Sequence, residues 1–171
     1  MEKGYVHVYT GNGKGKTTAA FGLALRAAMA GKKVYIGQFI KDMKYSETGI
    51  SELLPNITIE QLGRGCFIVS PPEEEDKKYA ELALKKCGEI LSSGEYDLVV
   101  LDEINIAFYY NLIDPVAVIE HIKSRADHVE VAITGRYAPE SIIEMADLVT
   151  EMCEIKHYYK QGVLSRKGID C

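Results

Sequence analysis

The chain has 171 residues, 47% of them hydrophobic and 26% charged, with a net charge of −5. These values fit one soluble domain with a sizeable core, residues 1–171, and argue against a general nucleic-acid binder, which would be basic. No apolar run approaches the ~20 residues of a membrane-spanning helix, so neither nucleic acid nor membrane is expected as a partner.

The first predicted strand, residues 5–9 (YVHVY), follows Met1-Glu2-Lys3 almost at once, so no leader is expected. It runs into Gly11-Asn12-Gly13-Lys14-Gly15-Lys16-Thr17-Thr18, and a helix is predicted over 17–30. Strand, glycine loop, helix is the setting of a phosphate-binding loop. The glycines let successive N–H groups turn toward an anion, and the new helix adds free N–H groups and its positive dipole end. Lys16 brings a mobile positive charge and the Thr17 hydroxyl a ligand for Mg²⁺. The pattern departs in one respect: counted back from Gly15, the usual first glycine is Thr10. An ordinary glycine-rich turn is the plainer alternative. Arg26, nine residues after Thr17, either reaches a nucleotide or extends from an otherwise apolar helix into water.

Residues 34–40 (VYIGQFI) read as a second, buried strand, 41–56 as a loop with a helical piece at 50–54, and 57–62 as a third strand broken by Gly63-Arg64-Gly65. Pro71-Pro72 and the acidic run Glu73–Asp76 mark a helix start, the acids complementing the dipole, with the helix running to about Ser92. The strand 97–101 ends in Asp102-Glu103, where phosphate-loop proteins carry the acid that organises the metal. Either carboxylate suits Mg²⁺, directly or through water; two solvated acids are the alternative. Asp114-Pro115 is a cap and first-turn proline opening a helix to about Ser124.

The next strand, 129–134, is followed by Gly135-Arg136, whose guanidinium suits a phosphate. A short helix is predicted over 139–146 and a last strand over 148–152, before a polar, aromatic tail without period. Lys156-His157 can enter a pocket, and the tyrosine pairs 109–110 and 158–159 suit rim packing or a flat ligand. Cys66, Cys87, Cys153 and Cys171 form no C-x-x-C pair, which points to a reducing cytoplasm. Strands alternating with helices predict a three-layer α/β domain, helices on both faces of a mostly parallel sheet, with a ligand beyond the strands' carboxyl ends.

Several of these stretches together resemble one family. Thr10–Ala20, Gln38-Phe39-Ile40-Lys41, Val99–Glu103, Thr134-Gly135-Arg136, Ala146-Asp147, Glu151-Met152, Lys156-His157 and Gly168-Ile169-Asp170 are similar, in order, to the ATP:corrinoid adenosyltransferases of cobalamin biosynthesis. The resemblance implies a RecA-like P-loop fold and usually a homodimer. It implies attack by a cobalt(I) corrinoid on the 5′ carbon of ATP, with triphosphate leaving intact, and a flavoprotein reductase that supplies the electron. It places Gly11, Asn12, Gly13, Lys14, Gly15, Lys16, Thr17 and Thr18 on the triphosphate, and Arg26 and Arg136 close to the nucleotide. Thr17 and Glu103, with Asp102 beside it, would hold Mg²⁺ or Mn²⁺, and Lys16, Glu103 and Arg136 would act in catalysis. ATP would lie in a reversed sense, in keeping with Thr10.

Where members of the family carry two aromatics beneath the corrin, this chain has Cys66-Phe67-Ile68. Phe67 and Ile68 would form the apolar wedge there. A plain ATPase or kinase and a non-catalytic nucleotide or corrinoid sensor are the competing readings. No arginine-rich lid and no N-K-x-D base-reading motif supports a kinase or a GTPase.

Overall fold

The computed structural model describes residues 3–40, 45–63 and 74–170. Phe67 and Ile68, the expected corrinoid wedge, lie outside the described residues.

Among the described residues six strands form one sheet: β1 (Val6–Thr10), β2 (Val34–Gln38), β3 (Ile57–Gln61), β4 (Leu98–Asp102), β5 (Glu130–Thr134) and β6 (Leu148–Glu151). Their order is β3-β2-β4-β5-β1-β6, and every pairing is parallel. The carboxyl ends therefore emerge at one edge, and β5 lies between the glycine-loop strand β1 and the carboxylate strand β4. β2 and β4 are buried along their whole length, as strands covered on both faces must be.

The alternation of side chains builds two cores. On one face α1 (Lys16–Met29) lays Ala20, Phe21, Ala24 and Ala28 on Val34, Ile36, Leu98, Val100 and Ala132. Alanines at four-residue spacing let this helix sit close to the sheet. The short α2 (Ile50–Leu53) supplies Ile50 at the margin of this core. On the other face α3 (Glu74–Ser93), α4 (Ile104–Tyr109), α5 (Pro115–Lys123) and α6 (Glu140–Met145) cover Val6, Val8, Tyr35, Val99, Leu101, Val131 and Ile133. Burial pushes the Cys87 thiol on α3 up to about 12, so it behaves as a small hydrophobe.

Most predicted elements appear with their ends shifted by a residue or two. β2 stops at Gln38 instead of residue 40: Phe39 N donates the last rung, to Asp102 O at 3.0 Å, where β4 itself ends. α4 was not foreseen. Its six residues are too few to show a helical period, and it starts from Glu103, whose left-handed backbone (φ 62°) turns the chain sharply off β4. The tail holds a single 3₁₀ turn, Tyr158–Gln161, capped by His157 Nδ1, which accepts from Tyr159 N at 3.1 Å.

Candidate functional site

The loop between β1 and α1 curls because two of its glycines meet demands no other residue satisfies. Gly15 caps α1 at φ 117°. Gly13 donates its N–H to Met152 O at 2.6 Å, and a Cβ there would stand 2.7 Å from that oxygen. The loop is thus pressed against the end of β6. Thr10, standing where a glycine is usual, is a strand residue: its Oγ1 accepts from Ala138 N at 3.3 Å and ties β1 to the turn after β5.

Lys16 is buried and donates back to Gly11 O and Gly13 O, both at 2.9 Å. Burial pulls its ammonium below the usual lysine range; Glu103 opposes this shift and Arg136 adds to it. The three expected catalytic residues therefore lie within electrostatic reach of one another. A cation held by its own loop's carbonyls is poised for exchange: an anion entering the curl offers it a stronger acceptor.

Beneath the loop the strand ends meet at Asp102. This carboxylate is fully buried, and its Oδ1 accepts from Thr17 Oγ1 at 3.0 Å and Thr134 Oγ1 at 2.7 Å, its Oδ2 from Gln38 Nε2 at 3.0 Å. Thr134 Oγ1 also accepts from Glu103 N at 2.9 Å. One network so fixes the start of α1 and the ends of β2, β4 and β5. The two adjacent acids are separated in role: Asp102 lies behind the cavity wall and Glu103 lines the cavity. The oxygen donors Thr17 and Glu103, which line the cavity, suit a hard cation such as Mg²⁺, whereas Asp102, expected beside them, stands behind Thr17 and fixes it. Gln38 Oε1, buried and unpartnered among the described residues, leaves an acceptor within the same cluster.

The cavity in front measures about 1440 Å³. The loop from Asn12 to Thr18 forms its floor, residues 45–53 one side, and the tail residues His157–Asp170 the other. Across it stand Glu103, Arg136 and an aromatic group in which Tyr109 and Tyr137 stack at 4.4 Å. Tyr137, like Glu103, has a left-handed backbone (φ 58°), an unfavourable conformation that tends to persist at functional sites. Of the expected nucleotide residues, the cavity gathers Asn12, Gly13, Lys14, Gly15, Lys16, Thr17, Thr18 and Arg136, while Gly11 contributes its carbonyl from behind. Arg26 does not line it. Arg26 is exposed farther along α1, near Tyr9, whose hydroxyl is pushed up by burial and by Glu130 against the pull of Arg26.

Comparison with known proteins decides what the site belongs to. Residues 2–171 match the family described as ATP:corrinoid adenosyltransferase BtuR/CobO/CobP. The chain belongs to this family. It is 38% identical over 175 residues to a corrinoid adenosyltransferase of Sinorhizobium sp, covering 99% of this chain and 81% of that protein. To a corrinoid adenosyltransferase of Pseudomonas aeruginosa it is 36% identical over 171 residues, 99% of this chain and 84% of that one. The crystal structure of the RadB recombinase superposes with a TM-score of 0.55 at 14% identity, covering 91% of this chain and 77% of that one. That likeness establishes the RecA-like P-loop fold.

Sequence reasoning gave no role to Gln38, Thr134 or Asn105. The signal was present: each is a polar residue in or beside an apolar stretch, and each is fully buried. Asn105 Nδ2 donates to Gly135 O at 3.0 Å and so braces the turn that carries Arg136.

Proposed function

We propose that the protein transfers the 5′-deoxyadenosyl group of ATP to the cobalt(I) of a corrinoid, in adenosylcobalamin synthesis or salvage. The observation that carries this reading, beside family membership, is the coupling of a phosphate loop to a cavity larger than one nucleotide needs. Small-molecule sites usually measure roughly 300–1,000 Å³, and this one, at about 1440 Å³, has room for a second large substrate.

The loop residues Gly11 to Thr18 take the triphosphate. Their N–H groups and Lys16 face it from below, and Arg136 faces it from the turn after β5. Mg²⁺ or Mn²⁺, held by Thr17 and Glu103 with Asp102 fixing Thr17 from behind, would neutralise the polyphosphate. The corrinoid cobalt(I) is itself the nucleophile, so no protein base is required. The cobalt–C5′ bond forms as the C5′–O bond breaks, and its electron pair leaves with the triphosphate. The chain's contribution is to hold C5′ in line with cobalt and to stabilise the departing charge, the terms P-loop cations and amides supply best. Lys16, Glu103 and Arg136 carry it; Arg26 acts at most from a distance.

The reading assigns residues 1–171 to one domain, with Phe67 and Ile68 beneath the corrin. A homodimer, a flavoprotein reductase and a cytoplasmic location complete it. The free thiols of Cys87 and Cys153 suit a reducing compartment, and no described helix is long and apolar enough to cross a membrane.

Chemically reduced corrinoid supplied with MgATP tests the proposal. Adenosylcorrinoid and triphosphate in equal amounts are expected. ADP with phosphate would make the protein an ATPase, and tight binding without product a sensor.

A further inference from the structure

Two lysines leave the glycine loop in different directions. Lys16 turns inward, whereas Lys14 points away from the curl and is taken up by the tail. Its Nζ donates to the Asp170 carboxylate, to Tyr158 OH at 3.0 Å and to Ile169 O at 2.7 Å. Asp170 also accepts from the Tyr158 hydroxyl, from Arg166 Nε at 3.0 Å and from Arg166 N at 3.1 Å. Two cations lie over the Tyr158 ring, the Arg166 guanidinium 4.7 Å and Lys14 Nζ 5.7 Å from its centroid. One carboxylate thus joins the phosphate loop to a segment that shares no strand with the sheet.

We propose that Lys14 is a positioning residue: it anchors the tail, residues 157–170, as a wall of the nucleotide cavity, and its charge serves Asp170 instead of the triphosphate. The proposal rests on the reading of this cavity as the ATP site, and it revises the expectation that both loop lysines face the phosphates. Three observations support it. All of the donors on Lys14 Nζ have acceptors on the tail. His157, Tyr159, Val163 and Ser165, which the anchor holds in place, line the same cavity as the loop. Lys14 is exposed where Lys16 is buried, so water and a fixed carboxylate already satisfy it.

Lys14→Gln, Asp170→Asn and the double variant decide the matter, each read by hydrogen exchange of residues 157–170 without ligand, by calorimetric ATP binding, and by steady-state KM and kcat. Both single variants should loosen the tail and weaken ATP several-fold, raising KM with kcat kept. The double variant should fall short of the full sum of the two effects, because the Lys14–Asp170 contact is shared between them. Lys14→Arg should retain protection. A Lys14→Gln protein that binds ATP poorly beside an Asp170→Asn protein that binds it as well as wild type, or better, would make Lys14 a triphosphate ligand and overturn the proposal. Unchanged tail exchange in both singles would overturn it too. If the wild-type protein bound no ATP, the function proposed above would fall, while the exchange comparison would still decide the anchor.

Discussion

Two aspartates organise the site from opposite surroundings. Asp102 is fully buried at the end of β4 and, among the described residues, accepts from two threonine hydroxyls and a glutamine amide. Asp170 sits near the surface on the tail and is served by a lysine, an arginine and a tyrosine. The difference follows from the dielectric. Deep in a protein each added charge must be stripped of water, so a buried carboxylate is best held by dipoles that cost little to desolvate and are fixed by the strands. Near water long cations lose less on approach, and they can span a gap between elements that share no ladder, but salt weakens their hold. The centre of the site is therefore rigid by construction, while its wall is adjustable.

Removing the inner hub has the largest expected effect. Asp102→Ala leaves the buried Thr134 hydroxyl and Gln38 amide without this acceptor, removes the one Thr17 reaches from the cavity's edge, and should cost about 3–5 kcal/mol of stability, with activity lost as the end of β4 and the start of α1 drift apart. Urea unfolding followed by circular dichroism measures this. A loss under about 1 kcal/mol would mean that the three donors find other partners and that the hub does not organise the strand ends.

The contrast also explains how much could be read from the sequence. The α/β alternation, the loop at Gly11–Thr18 and the acidic pair after β4 were legible because each rests on local chemistry: period, glycine, and polar residues ending apolar runs. What local chemistry does not show is which of two adjacent acids faces the cavity. The left-handed backbone at Glu103 settles that, by turning the chain so that Asp102 stays inside and Glu103 lines the cavity. In sequence Arg26 is a weaker candidate than Arg136, placed near the nucleotide by the family resemblance. Its place along α1 carries it toward Tyr9, a matter of helix phase against the sheet. The tail was illegible for a different reason. It is held by side chains reaching across 144 to 156 positions, with no repeat for a pattern to reveal.

Lys16→Ala should come next, acting on chemistry more than on folding. Its burial already disfavours the charge, so truncation removes an unfavourable solvation along with two bonds to loop carbonyls, and unfolding should change little. Transition-state stabilisation should fall, with kcat/KM down about 10²–10³-fold, as for other preorganised donors to a developing oxyanion. The same burial sets a pH signature. Burial makes the free enzyme's lysine lose its proton below the usual lysine range, so the alkaline limb of kcat/KM should begin earlier than for an exposed lysine. Near-normal turnover of the variant would place the departing charge elsewhere.

The smallest expected effect concerns the outer hub, and its sign can be worked out from both partners. The Lys14 contact, followed by Tyr158, holds the Asp170 carboxyl well below its usual range, so the stabilisation it gives the docked tail is complete above the unfolded value of about 3.9 and fades as pH falls toward the folded one. The same contact holds the Lys14 ammonium above 10.5, so its contribution is complete below that value and fades only as pH rises beyond it. Tail protection, corrected for intrinsic exchange, should therefore be flat between about pH 5 and pH 9. Salt should act instead: at 1 M, where the screening length is about 3 Å, the tail should open while the strands around Asp102 keep their protection. A step in tail protection inside that pH window, or tail exchange indifferent to salt, would show that the Lys14–Asp170 pair does not set the wall.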